Sequence, residues 1–479
     1  MFRELASMYA PSYPKTLVYM LQSTEYKTKP YILWIFRTRD FSKVMHRKSF
    51  DATRSATLLL RITQLGILVQ IAIGLAYIYL GLWHNFVGGV AFGAAIIIIY
   101  PLIWPLLLVV PLEIGKALIS EPMKQKSIGA SKSQFKNASA IKIAVVGSYG
   151  KTTMKELLNT VLSEGLRVAA TPANKNVSSS HAQFAKKLKG DEEVLIIEYG
   201  EGAPGDVKRF ADITKPTHVV ITGVAPAHLD EYKTLEAVGK DIFSVSQAVE
   251  HKQVYVNGDS PDAKPFITSA FELYDHHGAL GWNASEIAVS IEGTSFTLSK
   301  GTKKLHLKSG LIGRHHVGYL AFVAAFAMQL GLTEDQVEKG IAKTKPFEHR
   351  MQPYQLAGAW IIDDTYNGNL EGIVAGTTVL KDLPGKRKLY VTPGLVDQGE
   401  ETERVHITVG KLIAEANPDI VVLMKNSVTH YIETGLKQGK FTGKIDIKDD
   451  PLEFYTNLAH FVAHDDLVVM QNDWTDNYA

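Results

Sequence analysis

Cysteine is absent from all 479 residues, which excludes disulfides, a thiolate nucleophile, iron–sulfur clusters and Cys-ligated zinc. Net charge is nearly absent too: 51 Lys and Arg face 49 Asp and Glu, leaving +2 with His neutral. That balance excludes a bulk electrostatic nucleic-acid binder and an acidic disordered chain. Charge is also missing locally. Between Ala56 and Leu80 the only charged residue is Arg61, and between Phe86 and Leu112 there is none. Each run exceeds the ~20 residues that a helix needs to cross a ~30 Å hydrocarbon core. The short Gly81-Leu82-Trp83-His84-Asn85 between them predicts a tight transmembrane hairpin over 56–112. Pro101 and Pro105 should kink its second helix, and Trp83 and Trp104 suit the membrane–water interfaces.

A polar and basic leader, 1–55, precedes the hairpin, unlike the short n-region of a cleavable signal peptide. It holds Arg3, Lys15, Lys27, Lys29, Arg37, Arg39, Lys43, Arg47, Lys48 and Arg54 against Glu4, Glu25, Asp40 and Asp51. Lys116, Lys124, Lys126, Lys132 and Lys136 follow the second run, and the connecting loop has no Lys or Arg. The positive-inside rule therefore predicts a two-span protein of the cytoplasmic membrane, with both ends and the following domains cytoplasmic. Within the leader, Tyr31–Phe36 either lies on the anionic inner leaflet or forms a buried strand. Residues 113–140, Lys- and Ser-rich from Ser120 onward, read as a linker.

Beyond the linker, short β-branched runs alternate with helical stretches. Strands are expected at Ile141–Val146, Val194–Glu198, His218–Thr222, Gln253–Asn257, Ala359–Ile362, Lys388–Val391, Asp419–Met424 and Asp466–Met470. Helices are expected at Lys151–Glu164 and Gly318–Leu330. This alternation predicts an α/β fold of mainly parallel sheets covered by helices. The length exceeds one compact core, so the chain divides near Lys345 into 141–345 and 346–479. The stripe Leu320–Met328 reads as core, and Asp275-His276-His277 as a solvated loop.

The first strand runs into Gly147-Ser148-Tyr149-Gly150-Lys151-Thr152-Thr153 and then a helix, the setting of a nucleotide-phosphate loop. Glycines let backbone N–H groups turn onto phosphate oxygens, and the helix N-terminus adds partial positive charge. Lys151 is placed to reach the β- and γ-phosphates and Thr152 to offer a hydroxyl to Mg²⁺. Val194–Ile197 ends in Glu198, a carboxylate at the sheet edge where open α/β folds bind ligands. His218–Thr222 leads to His228, which is open to metal binding, substrate orientation or a loop cap.

In this order, Gly147–Thr152, Glu198 and Ala227-His228-Leu229 resemble the G-x-x-G-K-[ST] loop, strand-end Glu and A-H-L motif of the Mur ligase family. The resemblance continues through Asn174 and Asn176, Asn257-Gly258-Asp259, Gly313-Arg314-His315-His316-Val317 and His349-Arg350. Asp363-Asp364-Thr365-Tyr366-Asn367-Gly368-Asn369, and Val391–Glu400 with Glu403 and His406, are most similar to the MurF-type branch, which adds D-alanyl-D-alanine to a UDP-MurNAc-tripeptide. It spans about Lys142 to Gly410. It implies a P-loop central domain and a Rossmann-like C-terminal domain behind the hairpin.

The family's chemistry implies roles for these residues. ATP phosphorylates a carboxylate, and an amine attacks the acyl phosphate to give an amide, ADP and phosphate. Gly147, Ser148, Tyr149, Gly150, Lys151, Thr152 and Thr153 would hold the triphosphate, with Thr152 and Glu198 on a first Mg²⁺. His228 would serve a second Mg²⁺, Arg350 would reach the phosphates, and His315 and Asp364 would lie on the nucleoside side. Asn174, Asn176, Tyr366, Asn367 and Asn369 would contact substrate. A carbamoylated lysine follows the A-H-L motif in many members, and Lys240 is the candidate here.

The departures are specific. Both amides of the family's H-N-x-x-N adenine helix are replaced, since this chain reads His315-His316-Val317-Gly318-Tyr319. The usual C-terminal Lys-Gly-Ser string is Gln471-Asn472-Asp473. The leader and hairpin stand where the family has a UDP-binding domain, so the expected acceptor is a muramoyl-peptide, UDP- or lipid-linked. Folylpolyglutamate and cyanophycin synthetases share the loop but lack the D-D-x-Y-N-x-N string, and the missing Cys excludes the zinc-bearing lipid II-amidating relatives. A membrane-tethered nucleotide-binding scaffold without catalysis is the alternative outside the ligases.

Overall fold

The computed structural model describes residues 7–24, 26–38, 41, 50–172, 176–226, 228–366, 368–396 and 398–472. The chain divides into two compact units, Met1–Lys126 and Ser127–Ala479.

In the first unit, helices α1 (Tyr13–Ser23) and α2 (Thr28–Arg37) precede a hairpin of α3 (Arg54–Trp83) and α4 (Val87–Leu107). At ~1.5 Å per residue, α3 is about 45 Å long and α4 about 32 Å. Both are long and apolar enough to cross a membrane. Two glycines set the helix separation. A Cβ on Gly74 would lie 2.8 Å from the Gly93 carbonyl oxygen, and one on Gly93 2.5 Å from that of Gly74. Trp104 Nε1 donates to Gln70 Oε1 at 2.8 Å, and Gln70 Nε2 to the Ile96 carbonyl at 2.9 Å. Trp104 thus packs between the helices, over Gly66. Trp83, the last residue of α3, is exposed.

Pro105 has no N–H to offer the carbonyl of Pro101 one turn earlier. The Tyr13 hydroxyl donates to that carbonyl at 2.8 Å. Tyr13, Leu17, Val18, Leu21 and Tyr31 form a buried cluster with Ala56, Leu59, Leu108 and Leu112, so the leader packs onto the hairpin.

Two local expectations change. Tyr31–Phe36 is helical, within α2, and the strand alternative is excluded. Pro30 sits in the first helical turn, where its missing N–H is not needed, and burial does not alternate as a strand's would: Tyr31 is buried but Leu33, two residues on, is 44% exposed. The expected linker, 113–140, is helical as well. Helix α5 (Val109–Gly115) is followed by a π turn, Lys116–Ser120, and by α6 (Glu121–Asn137). Good helix formers with Glu121 in the first turn and Lys136 in the last explain α6. Its Phe135 is fully buried.

The second unit contains two sheets. In the first, strands β1 (Ile141–Val146), β2 (Val168–Ala170), β3 (Val194–Glu198), β4 (His218–Ile221), β5 (Val254–Asn257) and β6 (Glu272–Asp275) are parallel. β7 (Gly278–Ala279), β8 (Trp282–Ser290), β9 (Gly293–Lys300) and β10 (Lys303–Ser309) extend it as an antiparallel meander that the sequence reading missed. The order is β10-β9-β8-β7-β6-β5-β4-β1-β3-β2. The chain therefore passes to one side of β1 for β2 and β3 and to the other for β4, a topological switch point at the C-terminal end of β1. Helix α7 (Lys151–Leu162) and α12 (Val317–Gln329), apolar up to its last residue, cover one face; α8 (Ser178–Ala185), α9 (Asp206–Thr214), α10 (Leu229–Tyr232) and α11 (Leu235–Phe243) cover the other.

After α13 (Glu334–Ala342) comes the second sheet, ordered β11-β12-β16-β13-β14-β15. Its strands are β11 (Gln352–Leu356), β12 (Ala359–Asp364), β13 (Arg387–Thr392), β14 (Ile420–Met424), β15 (Lys444–Lys448) and β16 (Asp466–Gln471). All pair in parallel except β11 with β12. Helices α14 (Leu370–Asp382), α15 (Thr402–Ala416) and α16 (Thr429–Gln438) pack on it.

Candidate active site

Register brings three strand ends together. Val145 stands opposite Glu198, and Val146 opposite Ile221, so Gly147, Glu198 and Thr222 leave the sheet at one edge. Gly147 and Gly150 have φ of 148° and 71°, which only glycine adopts readily. A Cβ on Gly147 would collide with Thr222, and one on Gly150 with Tyr319. The loop is thus fitted between β4 and α12. Met154 N–H donates to the Gly150 carbonyl as the first bond of α7, which leaves the N–H groups of 151–153 without helical partners. Ser148 Oγ is buried without a partner among the described residues. An anion such as a nucleotide phosphate fits these donors.

Glu198 is held from every side. Its N–H donates to Thr171 Oγ1 at 3.0 Å, and Oε1 accepts from Thr152 Oγ1 at 3.0 Å. Its carbonyl lies 2.8 Å from Nε2 of buried His181, which must carry the proton there because a carbonyl only accepts. Burial lowers the His181 pKa to about 4, so the ring is neutral. On the other side of the carboxylate, Lys155 Nζ is 3.3 Å from Oε2 and fully buried. Lys151 Nζ donates to the Gly147 carbonyl and lies 2.9 and 2.8 Å from the two carboxylate oxygens of Glu201. Lys155 and Glu201 were not singled out by sequence. The hydroxyl of Thr152 with the Glu198 carboxylate is an all-oxygen donor pair of the kind Mg²⁺ takes alongside nucleotide phosphates.

In the C-terminal part, Arg350 lies between His349 and Met351, whose φ are 58° and 45°. Its guanidinium sits over the Tyr366 ring at 4.7 Å. Asp364 accepts from Met351 N–H at 3.2 Å and from Gln471 Nε2 at 2.7 Å. Gln471 Oε1 accepts from the Tyr390 hydroxyl. Burial, opposed by these bonds and by Arg350, raises the Asp364 carboxyl to about 7. Asn369 caps α14, accepting from Gly372 N–H at 2.8 Å, so its side-chain oxygen is committed to the helix.

The profile of the Mur ligase middle domain matches residues 145–327. Residues 145–327 are thus a Mur ligase middle domain. It is 29% identical over 307 residues to the UDP-N-acetylmuramoyl-tripeptide–D-alanyl-D-alanine ligase of Escherichia coli K12, covering 62% of this chain and 67% of that one. It is also 29% identical to the ligase of the same name from Treponema pallidum, covering 58% and 60%. The chain thus spans about two thirds or less of the length of such relatives. Its fold matches the MurF ligase of Thermotoga maritima in complex with ADP, with TM-score 0.64, 23% identity and coverage of 73% and 80%. MurF of Acinetobacter baumannii gives 0.63, 20%, 73% and 77%.

Of the residues expected in a Mur ligase site, the structure brings together Gly147–Thr153 and Glu198, and separately Arg350, Tyr366 and Asp364. Asn176 joins the first group through its backbone, its carbonyl accepting from Gly200 N–H at 2.8 Å. His228 is exposed, with φ of 51°, and opens α10. His315 is exposed and His316 buried, one turn ahead of Tyr319. Tyr319 donates to the Thr222 carbonyl at 3.1 Å, so this aromatic supports the loop from beneath. Lys240 is not placed with Glu198: its side chain is 68% exposed and pairs with Glu236 one turn earlier at 2.6 Å. The buried acid of that helix is Asp241, bonded to Gly205 N–H and the Tyr232 hydroxyl. Gln471, whose role the sequence left open, orients Asp364. Asn174, Asn367, Ala227 and Asp473 lie outside the described residues.

Proposed function

We propose that this chain is a MurF-type ATP-dependent peptide ligase. It joins D-alanyl-D-alanine or a similar amine to a muramoyl-peptide carboxylate through an acyl phosphate. The observation that carries the reading is the Thr152–Glu198 pair, 3.0 Å apart under a glycine loop that ends in Lys151. The names of the curated relatives and the family match support the same substrate class. Bound ATP supplies the phosphoryl group, and Mg²⁺ the charge neutralisation, that make the acceptor carbonyl reactive. Glycine-loop N–H groups and Lys151 bind and orient the phosphates. Thr152 and Glu198 offer the oxygen ligands for Mg²⁺. Arg350, held over Tyr366, adds a cation as negative charge builds in both steps. His228 is the candidate for a second metal. Tyr366, Asn176, Asn174 and Asn367 are candidates for peptide recognition, and Asn369 has only its amide N–H₂ free for that task.

We place the hairpin in the cytoplasmic membrane, with the ligase domains on the cytoplasmic side. Leu65, Leu68, Leu82, Phe86, Val87 and Leu102 expose apolar surface along it, which a bilayer covers. The acceptor is then met at the inner leaflet, as a lipid-linked or UDP-linked muramoyl-peptide. No partner protein or nucleic acid enters this reading. A second reading, a tethered nucleotide-binding scaffold, is favoured by the exposed Lys240 alone. Incubation with ATP, Mg²⁺, D-alanyl-D-alanine and each acceptor, with mass analysis, tests all of this. Amine-dependent ADP release that disappears in Lys151→Ala supports the ligase. ADP release without amine, or none, sinks it. Equal efficiency on soluble UDP-MurNAc-tripeptide removes the lipid-linked acceptor.

A further inference from the structure

The ammonium that should meet the nucleotide already has an anion. Lys151 Nζ is 2.9 Å from Oε1 and 2.8 Å from Oε2 of Glu201, and it also donates to the Gly147 carbonyl of its own loop. Glu201 is not a surface carboxylate. Its side chain is 4% exposed, that of Lys151 12%. Apart from Lys151, none of the hydrogen bonds described for Glu201 satisfies Oε2, which is buried. A carboxylate taken out of water with a single cationic partner is stabilised almost wholly by that partner. Three residues before it, Glu198 has its own ammonium, Lys155. Lys155 also lies 3.1 Å from Glu156 Oε1, so both lysines are paired with carboxylates before any ligand arrives.

A triphosphate needs Lys151 unpaired, since two anions cannot both take one ammonium at hydrogen-bond distance without repelling each other. We propose that Glu201 is a positioning residue that acts through Lys151: it stands in for the β,γ-phosphate, holds the lysine folded over the loop when no nucleotide is present, and is exchanged for the phosphates on binding. This rests on the nucleotide reading above. It adds that part of the nucleotide's binding energy is spent displacing an internal anion, so affinity is set below what the loop alone would give.

The test is ADP titration by calorimetry, with and without Mg²⁺, on the full-length chain and on Glu201→Gln, with Glu201→Ala as a second variant. The exchange predicts that ADP without metal binds Glu201→Gln roughly tenfold tighter than wild type, about the worth of one close charge pair. It also predicts that the ligand-free variant melts lower than wild type and that ADP raises its melting temperature by more. A merely structural role lowers melting without tightening ADP, and that result overturns the proposal. Weaker Mg²⁺-dependent binding in both variants also overturns it, by making Glu201 a metal ligand. ADP binding to wild type tests the underlying reading separately. Absence of binding in all three proteins removes both.

Discussion

Lys155 and Glu198 form a fully enclosed ion pair, Nζ to Oε2 3.3 Å, directly beneath the phosphate loop. Removing one member of such a pair strands the other. Lys155→Met should therefore destabilise the second unit by about 3–5 kcal/mol. The double variant Lys155→Met, Glu198→Gln should recover most of that loss, as denaturant unfolding of all four cycle members will measure. Additive losses would mean that the two side chains do not interact.

Gly376 is fixed by Gln471. A Cβ at 376 would collide with the amide oxygen of Gln471, the residue that bonds Asp364, the Gly372 carbonyl and Tyr390. Gly376→Ala is expected to cost about 1–3 kcal/mol by overpacking. Gly129→Ala, in α6 with open space around its Cα, is expected to be neutral or to gain up to about 1 kcal/mol. Paired urea titrations compare the two.

Glu371, at the start of α14, is raised to about 7 by burial first and by Asp262, and its Oε2 has no hydrogen-bond partner among the described residues. A carboxyl whose folded pKa is raised stabilises the fold below its unfolded pKa, and that contribution is lost as pH rises through about 7. Wild type should therefore lose stability relative to Glu371→Gln between about pH 4 and pH 7. The expected gap is about 1–3 kcal/mol at pH 8. Melting curves at pH 5 and pH 8 check it. A gap that is the same at both values would refute the assignment.

The cysteine-free sequence makes topology directly measurable. His84→Cys, in the hairpin turn, should react with a membrane-impermeant maleimide in intact cells. Thr302→Cys, in the exposed β9–β10 turn, should react only after lysis. The reverse pattern would invert the orientation, and equal labelling of both in intact cells would remove the bilayer from the account.

Legibility from sequence followed burial on both faces. β1 and β3 lie inside a parallel sheet, so apart from Lys142 they read as apolar runs, and the functional residues follow where those runs stop, at Gly147 and Glu198. The β8–β10 meander carries Ser, Glu and Lys on its exposed face and buries Thr294 and Thr297, and that weak alternation did not register as strands. Lys155 is one turn beyond Lys151 and looks like a solvated helix lysine; only the fold shows that this face of α7 meets Glu198. Glu201 sits among glycines in a loop whose path sequence does not specify. Lys240 was drawn from motif spacing alone, which does not say which face of α11 a residue occupies.

The bond from Tyr13 to the Pro101 carbonyl changes what counts as the hairpin. The backbone of α4 is not self-sufficient, because Pro105 withdraws a donor and a side chain 88 residues earlier in the chain replaces it. In hydrocarbon an unmet carbonyl costs several kcal/mol, so cutting the chain before Arg54 removes a backbone partner and not a dispensable tail. With the hairpin placed in the membrane as proposed above, the leader would have to stay near the membrane surface until the second span has entered, since only then does Tyr13 find its acceptor. Biogenesis of the proposed anchor would then be a three-segment assembly, with the basic leader as its first piece and its last to dock.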